Sequence, residues 1–170
     1  MWSLDLTELE LKKGHSRISS LIYKDFFCIN MGGKVANNDW GESNWRLLID
    51  KLSLSYTKLS LVIIGSTSDF NRGNNILNRW PNGGINFCGL LEPRETASVL
   101  CLAKFFIGHD SGPLHLAAAM QVPCVGLFGN NDPAKKWHPY GLNHYTIHKI
   151  NGMKEIKVDE VLNAIKYIGF

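Results

Sequence analysis

The 170-residue sequence predicts an α/β domain in which a parallel sheet is covered by helices on both faces. Short unbroken apolar runs alternate with segments of helical spacing, and several of these runs close on a knot of glycine and small polar residues. The stretch from Lys104 to Gly129, KFFIGHDSGPLHLAAAMQVPCVGLFG, condenses the pattern into strand, tight turn, short helix and strand. Such alternation requires right-handed crossovers and buries the strands from both sides.

Taken in order, residues 1–20 read as a lead-in or interdomain linker, with 21–170 as the domain. Within the lead-in, Asp5 or Thr7 is placed to cap a short helix carrying Leu9 and Leu11, which Gly14-His15-Ser16 ends. A start this abrupt also suits a piece of a longer chain. Phe26 to Asn30, FFCIN, is a strand buried on both faces. Met31-Gly32-Gly33-Lys34 follows it. The glycines permit close backbone approach to a ligand and Lys34 supplies a point charge, though the same tetrapeptide also suits a plain loop.

Glu42 to Leu54 carries Trp45, Leu48, Ile49 and Leu52 on one helical face, with Ser43 as the expected N-cap. Leu59 to Gly65 is the next strand, ending in the loop Gly65-Ser66-Thr67-Ser68-Asp69. Asp69 either holds a ribose hydroxyl or caps a helix running toward Trp80. Ile85 to Cys88 is a short strand after the Pro81–Gly84 turn; Gly89-Leu90-Leu91 then leads to a helix opened by Pro93. Lys104 to Gly108 begins the central strand. Beyond Gly129 comes an irregular segment to Leu142, a last strand from His144 to His148, and a closing helix from Val158 with Val161, Leu162, Ile165 and Ile168 inward.

Composition narrows the function. The chain is 45% hydrophobic and long enough to bury roughly 70% of its unfolded surface in one domain. Its formal charge of +3 is dispersed, which argues against a nucleic-acid partner and suits a small anionic ligand. Cys28, Cys88, Cys101 and Cys124 lie far apart in apolar runs without metal-ligand spacing, as reduced core residues do. The N-terminus has no signal-peptide pattern, and no apolar run is long enough to span a bilayer.

The chemistry gathers at Asp110-Ser111-Gly112. Pro113 suits the first helical position, so Ser111 or Gly112 falls at the N-cap and the free N–H groups of the first turn offer an anion site at the strand's carboxyl end. Ser111 can donate to a phosphate oxygen or cap the helix. The Asp110 side chain is expected to brace the turn by accepting backbone N–H groups. His115 lies one turn further on, facing the same way as Ser111. Other chemistries fit less well. The glycines of Gly108-His109-Asp110-Ser111-Gly112 stand at the wrong offsets for a nucleophile elbow, no GxGxxG follows the first strand, and His109, Asp110 and His115 are not spaced to converge on a metal.

The run IGHDSGPLHLAAAMQVPCVGLFG resembles the central motif of glycosyltransferase family 9, which includes the ADP-heptose:lipopolysaccharide heptosyltransferases. The resemblance extends to Gly32-Gly33-Lys34 with Asp39-Trp40, to Trp45, to the Gly65 loop, to Gly89-Leu90 and to Pro139-Tyr140-Gly141, covering roughly residues 26–148. It implies a Rossmann-like domain, the C-terminal donor half of a GT-B enzyme. The donor diphosphate would then meet Gly33, Lys34, Asp110, Ser111, Gly112 and His115, and the nucleoside Ser66, Asp69 and Leu91. Asn38 stands where the family carries its phosphate-binding lysine, so the charge would fall to Lys34. No metal or other cofactor is implied. The donor would be a nucleoside diphosphate-sugar, ADP-linked and heptose-like, and the acceptor lipopolysaccharide or polysaccharide, bound by an N-terminal domain that also supplies the general base. The resemblance places the whole enzyme in the cytoplasm, at most peripheral at the inner membrane face. Two alternatives remain: the corresponding half of a nucleotide-sugar epimerase, and a non-catalytic stand-alone nucleotide-binding module.

Overall fold

The structure, a computed structural model, describes residues 4–32, 39–129, 136, 138–141 and 143–170. Its centre is a six-stranded sheet of β1 (Phe26–Asn30), β2 (Ser60–Ile63), β3 (Gly84–Asn86), β4 (Phe106–His109), β5 (Cys124–Phe128) and β6 (His144–His148). The strand order is β3-β2-β1-β4-β5-β6 and every pairing is parallel. This is the doubly wound Rossmann order, in which chain progression reverses between β1 and β4 and leaves a crevice beyond their carboxyl ends.

Alternation along β1 shows why the sheet is covered twice. Phe27 and Ile29 face a layer formed by α2 (Glu42–Ser55), α3 (Phe70–Leu77) and α6 (Val158–Tyr167), through Trp45, Leu48, Ile49, Leu52, Ile76, Val161 and Ile165. Phe26 and Cys28 face α4 (Pro93–Leu100) and α5 (Gly112–Ala119), through Val99, Leu100, Leu114 and Ala117. A strand sealed on both sides has no exposed face, so an unbroken apolar run is what it needs. Cys28, Cys88 and Cys124 are buried, Cys101 is partly exposed, and all four are free thiols.

Several boundaries differ from expectation. The helix α2 is capped by Gly41 rather than Ser43, because Gly41 takes φ +96°, a conformation glycine tolerates, while its N–H donates to Asp39 Oδ1 at 2.8 Å. Ser43 therefore falls inside the first turn. The segment after Ser66 opens as a 3-10 turn, Thr67–Asp69, and α3 ends at Leu77, short of Trp80. Trp80 instead folds into the core and its indole N–H donates to the Leu59 carbonyl at 2.9 Å.

The N-terminal helix α1 (Glu8–Arg17) starts at Thr7, whose hydroxyl accepts from the Glu10 N–H while Glu10 reaches back to the Thr7 N–H. It continues through Gly14-His15-Ser16 instead of ending there, because Gly14 is the point at which α1 crosses α4: a Cβ there would lie 2.3 Å from the Ser98 carbonyl oxygen. Glu10 pairs with Arg94, and Arg17 with Glu95 at 3.1 Å, but these pairs are solvent-screened. The glycine contact is thus the tighter constraint. Gly14→Ala is expected to lower stability in urea denaturation by about 1–3 kcal/mol, since backbone faces the new methyl group, whereas Arg94→Ala should move the midpoint far less.

Candidate functional site

Four strand ends meet at the carboxyl edge. After β2, Ser66 to Asp69 close a capping box: Asp69 Oδ2 accepts from the Ser66 N–H at 2.8 Å and from its hydroxyl at 2.6 Å. The Asp69 carboxylate also presses on the loop after β1, where a Cβ on Gly32 would lie 2.2 Å from Oδ2. That close approach explains why glycine follows β1. Ser66 is thus the cap of the 3-10 turn and Asp69 its N3 partner, while the Asp69 side chain makes no capping bond to α3; the loops after β1 and β2 are packed on each other.

Asn30, the last residue of β1, ties these loops to the one after β4. Its side chain is buried, with 2% exposure; Nδ2 donates to the Ile64 carbonyl at 2.9 Å and Oδ1 accepts from Ser111 Oγ at 2.8 Å. The bond to Ser111 spans the β1–β4 crevice. Sequence reasoning missed this residue, although a polar side chain closing an otherwise apolar strand was a signal.

Ser111 is the N-cap of α5 by backbone conformation, but its hydroxyl makes no capping bond. It turns inward, toward Asn30 and, at 3.1 Å, the His109 carbonyl. The backbone N–H groups of Ser111 and Gly112 meet no acceptor among the described residues. Gly112 is exposed, and a Cβ built on it would meet nothing within 4 Å. Among the described residues the helix start thus presents donors without acceptors at the positive end of the α5 dipole, the kind of arrangement that suits an anion.

The flanking residues complete the edge. Asp110 donates its N–H to Leu127 of β5 at 3.2 Å, but among the described residues its carboxylate accepts no backbone N–H, so the expected bracing role is not seen there. It lies 3.6 Å from His115 Nε2 instead, one helical turn on, and both side chains are partly exposed. Leu91 is partly withdrawn into the core, whereas Leu90 is 55% exposed and offers the larger free apolar face. Gly33, Lys34 and Asn38 lie outside the described residues, as does most of the segment between Gly129 and Asn143.

A second polar cluster supports the α2 side of the crevice and was also missed. Arg72 of α3 grips Asp39 through two hydrogen bonds, 2.6 and 2.9 Å. Burial raises the Asp39 carboxyl's pKa, but the Arg72 and Gly41 donors outweigh it and the net shift is downward. Trp40 donates its N–H to His109 Nε2 at 3.3 Å and its indole N–H to the Ile156 carbonyl at 2.7 Å. Because Nε2 accepts, the neutral ring carries its proton on Nδ1, which has no partner. The His109 ring lies tilted against Trp45, with ring centroids 5.5 Å apart, whereas Asp110 and His115 pair with each other at the start of α5. Among the described residues no group of three or more His, Cys, Asp or Glu side chains is placed to hold a metal ion.

Burial pushes the His109 pKa from its usual 6.5 down to about 4. A depressed histidine pKa means that the unfolded chain binds the extra proton between these values, so the contribution is complete above pH 6.5 and fades toward pH 4. Stability measured by denaturant at stepped pH should fall by about 3 kcal/mol over that window on account of this residue. His109→Asn, which keeps an acceptor for Trp40, should flatten that part of the profile.

Comparison with known proteins gives this arrangement a context. The family model for glycosyltransferase family 9 (heptosyltransferase) matches residues 1–166. Lipopolysaccharide heptosyltransferase 1 of Salmonella typhimurium is 33% identical over 98 residues, 55% of this chain and 29% of that protein. A family 9 glycosyltransferase from Veillonella parvula superimposes with a TM-score of 0.84 at 17% identity, covering 98% of this chain and 53% of that one. The Escherichia coli heptosyltransferase WaaC, solved with ADP, gives 0.76 at 21% identity over 92% of this chain and 48% of its own. The chain spans about half the length of these solved relatives, and its fold is that of one Rossmann-like unit of a GT-B glycosyltransferase. With the motif around Ser111 and nearly the whole length matched by the family model, the chain belongs to glycosyltransferase family 9.

Proposed function

We propose that this chain is the donor-binding, C-terminal half of a heptosyltransferase-like enzyme. Its donor is a nucleoside diphosphate-sugar, ADP-linked and heptose-like, and the acceptor is lipopolysaccharide or a related polysaccharide. The observation that carries this reading is the start of α5, where the Ser111 and Gly112 N–H groups have no acceptor among the described residues. The ADP in the WaaC structure and the family membership support the choice of ligand. The epimerase alternative is not favoured, because the matching family model is that of the heptosyltransferases.

When the sugar leaves a nucleoside diphosphate, negative charge builds on the departing β-phosphate. Preorganised amides and a helix dipole stabilise that charge without reorganising, which is where such a site lowers the barrier. In this reading His115 and Lys34 add positive or hydrogen-bonding character around the diphosphate. In the same reading the ribose lies beside the Ser66–Asp69 pair, whose mutual hydrogen bonds it would have to share, and Leu91 with Leu90 packs on the base. Activating the acceptor hydroxyl is a separate acid–base task that we assign to the other half of the enzyme. Among the described residues no helix is long and apolar enough to cross a membrane. On family membership we place the enzyme in the cytoplasm, at most peripheral at the inner membrane face.

Calorimetric titration with ADP and UDP at low salt tests the reading, and ADP is expected to bind. Gly112→Pro is the cleanest probe: Ser111 is already extended, proline is favoured at the first helical position, and the site is sterically open, so the change deletes one N–H donor. It should weaken ADP by about ten- to a hundredfold, the worth of a charge-assisted hydrogen bond, with little change in the melting temperature. His115→Ala should weaken it by about tenfold. Failure of every nucleoside diphosphate to bind would overturn the donor-site reading, and a preference for UDP would overturn the choice of base.

A further inference from the structure

We propose that Asn30 is a positioning residue for the anion site: by holding the Ser111 hydroxyl inward, it leaves the diphosphate to be met by the backbone N–H groups of Ser111 and Gly112. The inference rests on the donor-site reading above and specifies which atoms of Ser111 that site uses.

The hydroxyl of Ser111 has one proton. It lies between two inward acceptors, Asn30 Oδ1 at 2.8 Å and the His109 carbonyl at 3.1 Å. If that proton turned to an incoming phosphate, Asn30 Oδ1 would become a buried acceptor without a donor, and leaving such a group unpaired is costlier than an average hydrogen bond is favourable. Rotation is opposed on the other side of the amide too. Asn30 Nδ2 is held by the Ile64 carbonyl at 2.9 Å, so the planar group cannot swing with the hydroxyl without breaking a second buried bond. Gly108 lies opposite Asn30 in the β1–β4 register, and a Cβ there would stand 3.3 Å from Asn30 Cβ and 2.7 Å from the Phe106 ring. The missing side chain at 108 gives the amide its lane across the crevice.

The planar amide donates to the β2 end through Nδ2 and accepts from the β4 loop through Oδ1 at the same time. A carboxylate would lose the donor and bring negative charge beside the phosphates. The binding chemistry at this turn is therefore main-chain, and Asn30 and the Ser111 hydroxyl together set the direction in which those main-chain donors point.

The test is a double-mutant cycle on the whole 170-residue chain, reading ADP affinity and melting temperature for the wild type, Asn30→Ala, Ser111→Ala and the double variant. Each single change should weaken ADP by about five- to tenfold, and the double variant should bind no more weakly than the poorer single one. Additive losses would overturn the inference, as would Asn30→Ala with lowered stability and unchanged affinity. A measurement without variants covers the case in which Asn30→Ala fails to fold. In NMR spectra of the wild type, saturating ADP should shift the Ser111 and Gly112 backbone amide protons while leaving the Asn30 side-chain amide pair in place. A large shift of that pair would show the hydroxyl leaving for the phosphate and would overturn the inference. If the wild type binds no nucleoside diphosphate, the donor-site reading falls first and this one with it; ADP binding with additive losses sinks this one alone.

Discussion

The three-way tie through the Asn30 amide, joining the ends of β2, β1 and β4, is the constraint on which the geometry of the site depends. In a doubly wound sheet the loops after β1 and β4 lead in opposite directions, so nothing in the backbone ladder holds them at a fixed separation. Here one buried side chain bridges the gap, with hydrogen bonds at 2.9 Å to Ile64 and 2.8 Å to Ser111. Being buried, it is not exchanged for water, and each bond broken would leave a polar group unsatisfied. The turn that opens α5 is therefore referenced to the sheet and not to its own loop.

The acidic groups around this edge pose an electrostatic problem for a phosphate site, and the structure handles each one. Asp69 spends its carboxylate on the Ser66 capping box, and Asp39 is gripped by Arg72 and the Gly41 N–H. Asp110 stands beside His115. With these carboxylates engaged, the groups at the α5 start that lack a partner among the described residues are donors, the polarity that the proposed diphosphate would meet.

On the α2 side, Trp40, His109 and the Asp39–Arg72 pair perform a structural task with polar groups. Trp40 links β4 to the carbonyl of Ile156 ahead of α6, so the loop entering α2 is anchored from two directions. His109 takes part as a neutral acceptor, since burial disfavours its charged form.

The order and type of the elements follow from the residues alone, because apolar runs, helical spacing and Gly/Pro punctuation act locally. FFCIN, HYTIH and the helix from Val158 lie where those patterns put them, and the motif around Ser111 announced both the helix start and the family. The tertiary structure decided how the polar side chains are used, since each choice depends on a partner far away in the chain. Asn30 meets Ser111 across 81 positions, and Trp40 meets His109 across 69. Gly14 stays helical because α4 crosses it, and Gly41 displaces Ser43 as the cap because the chain must take a positive φ there. Periodicity cannot report such contacts: which donor finds which acceptor is settled only when the sheet brings its strand ends together.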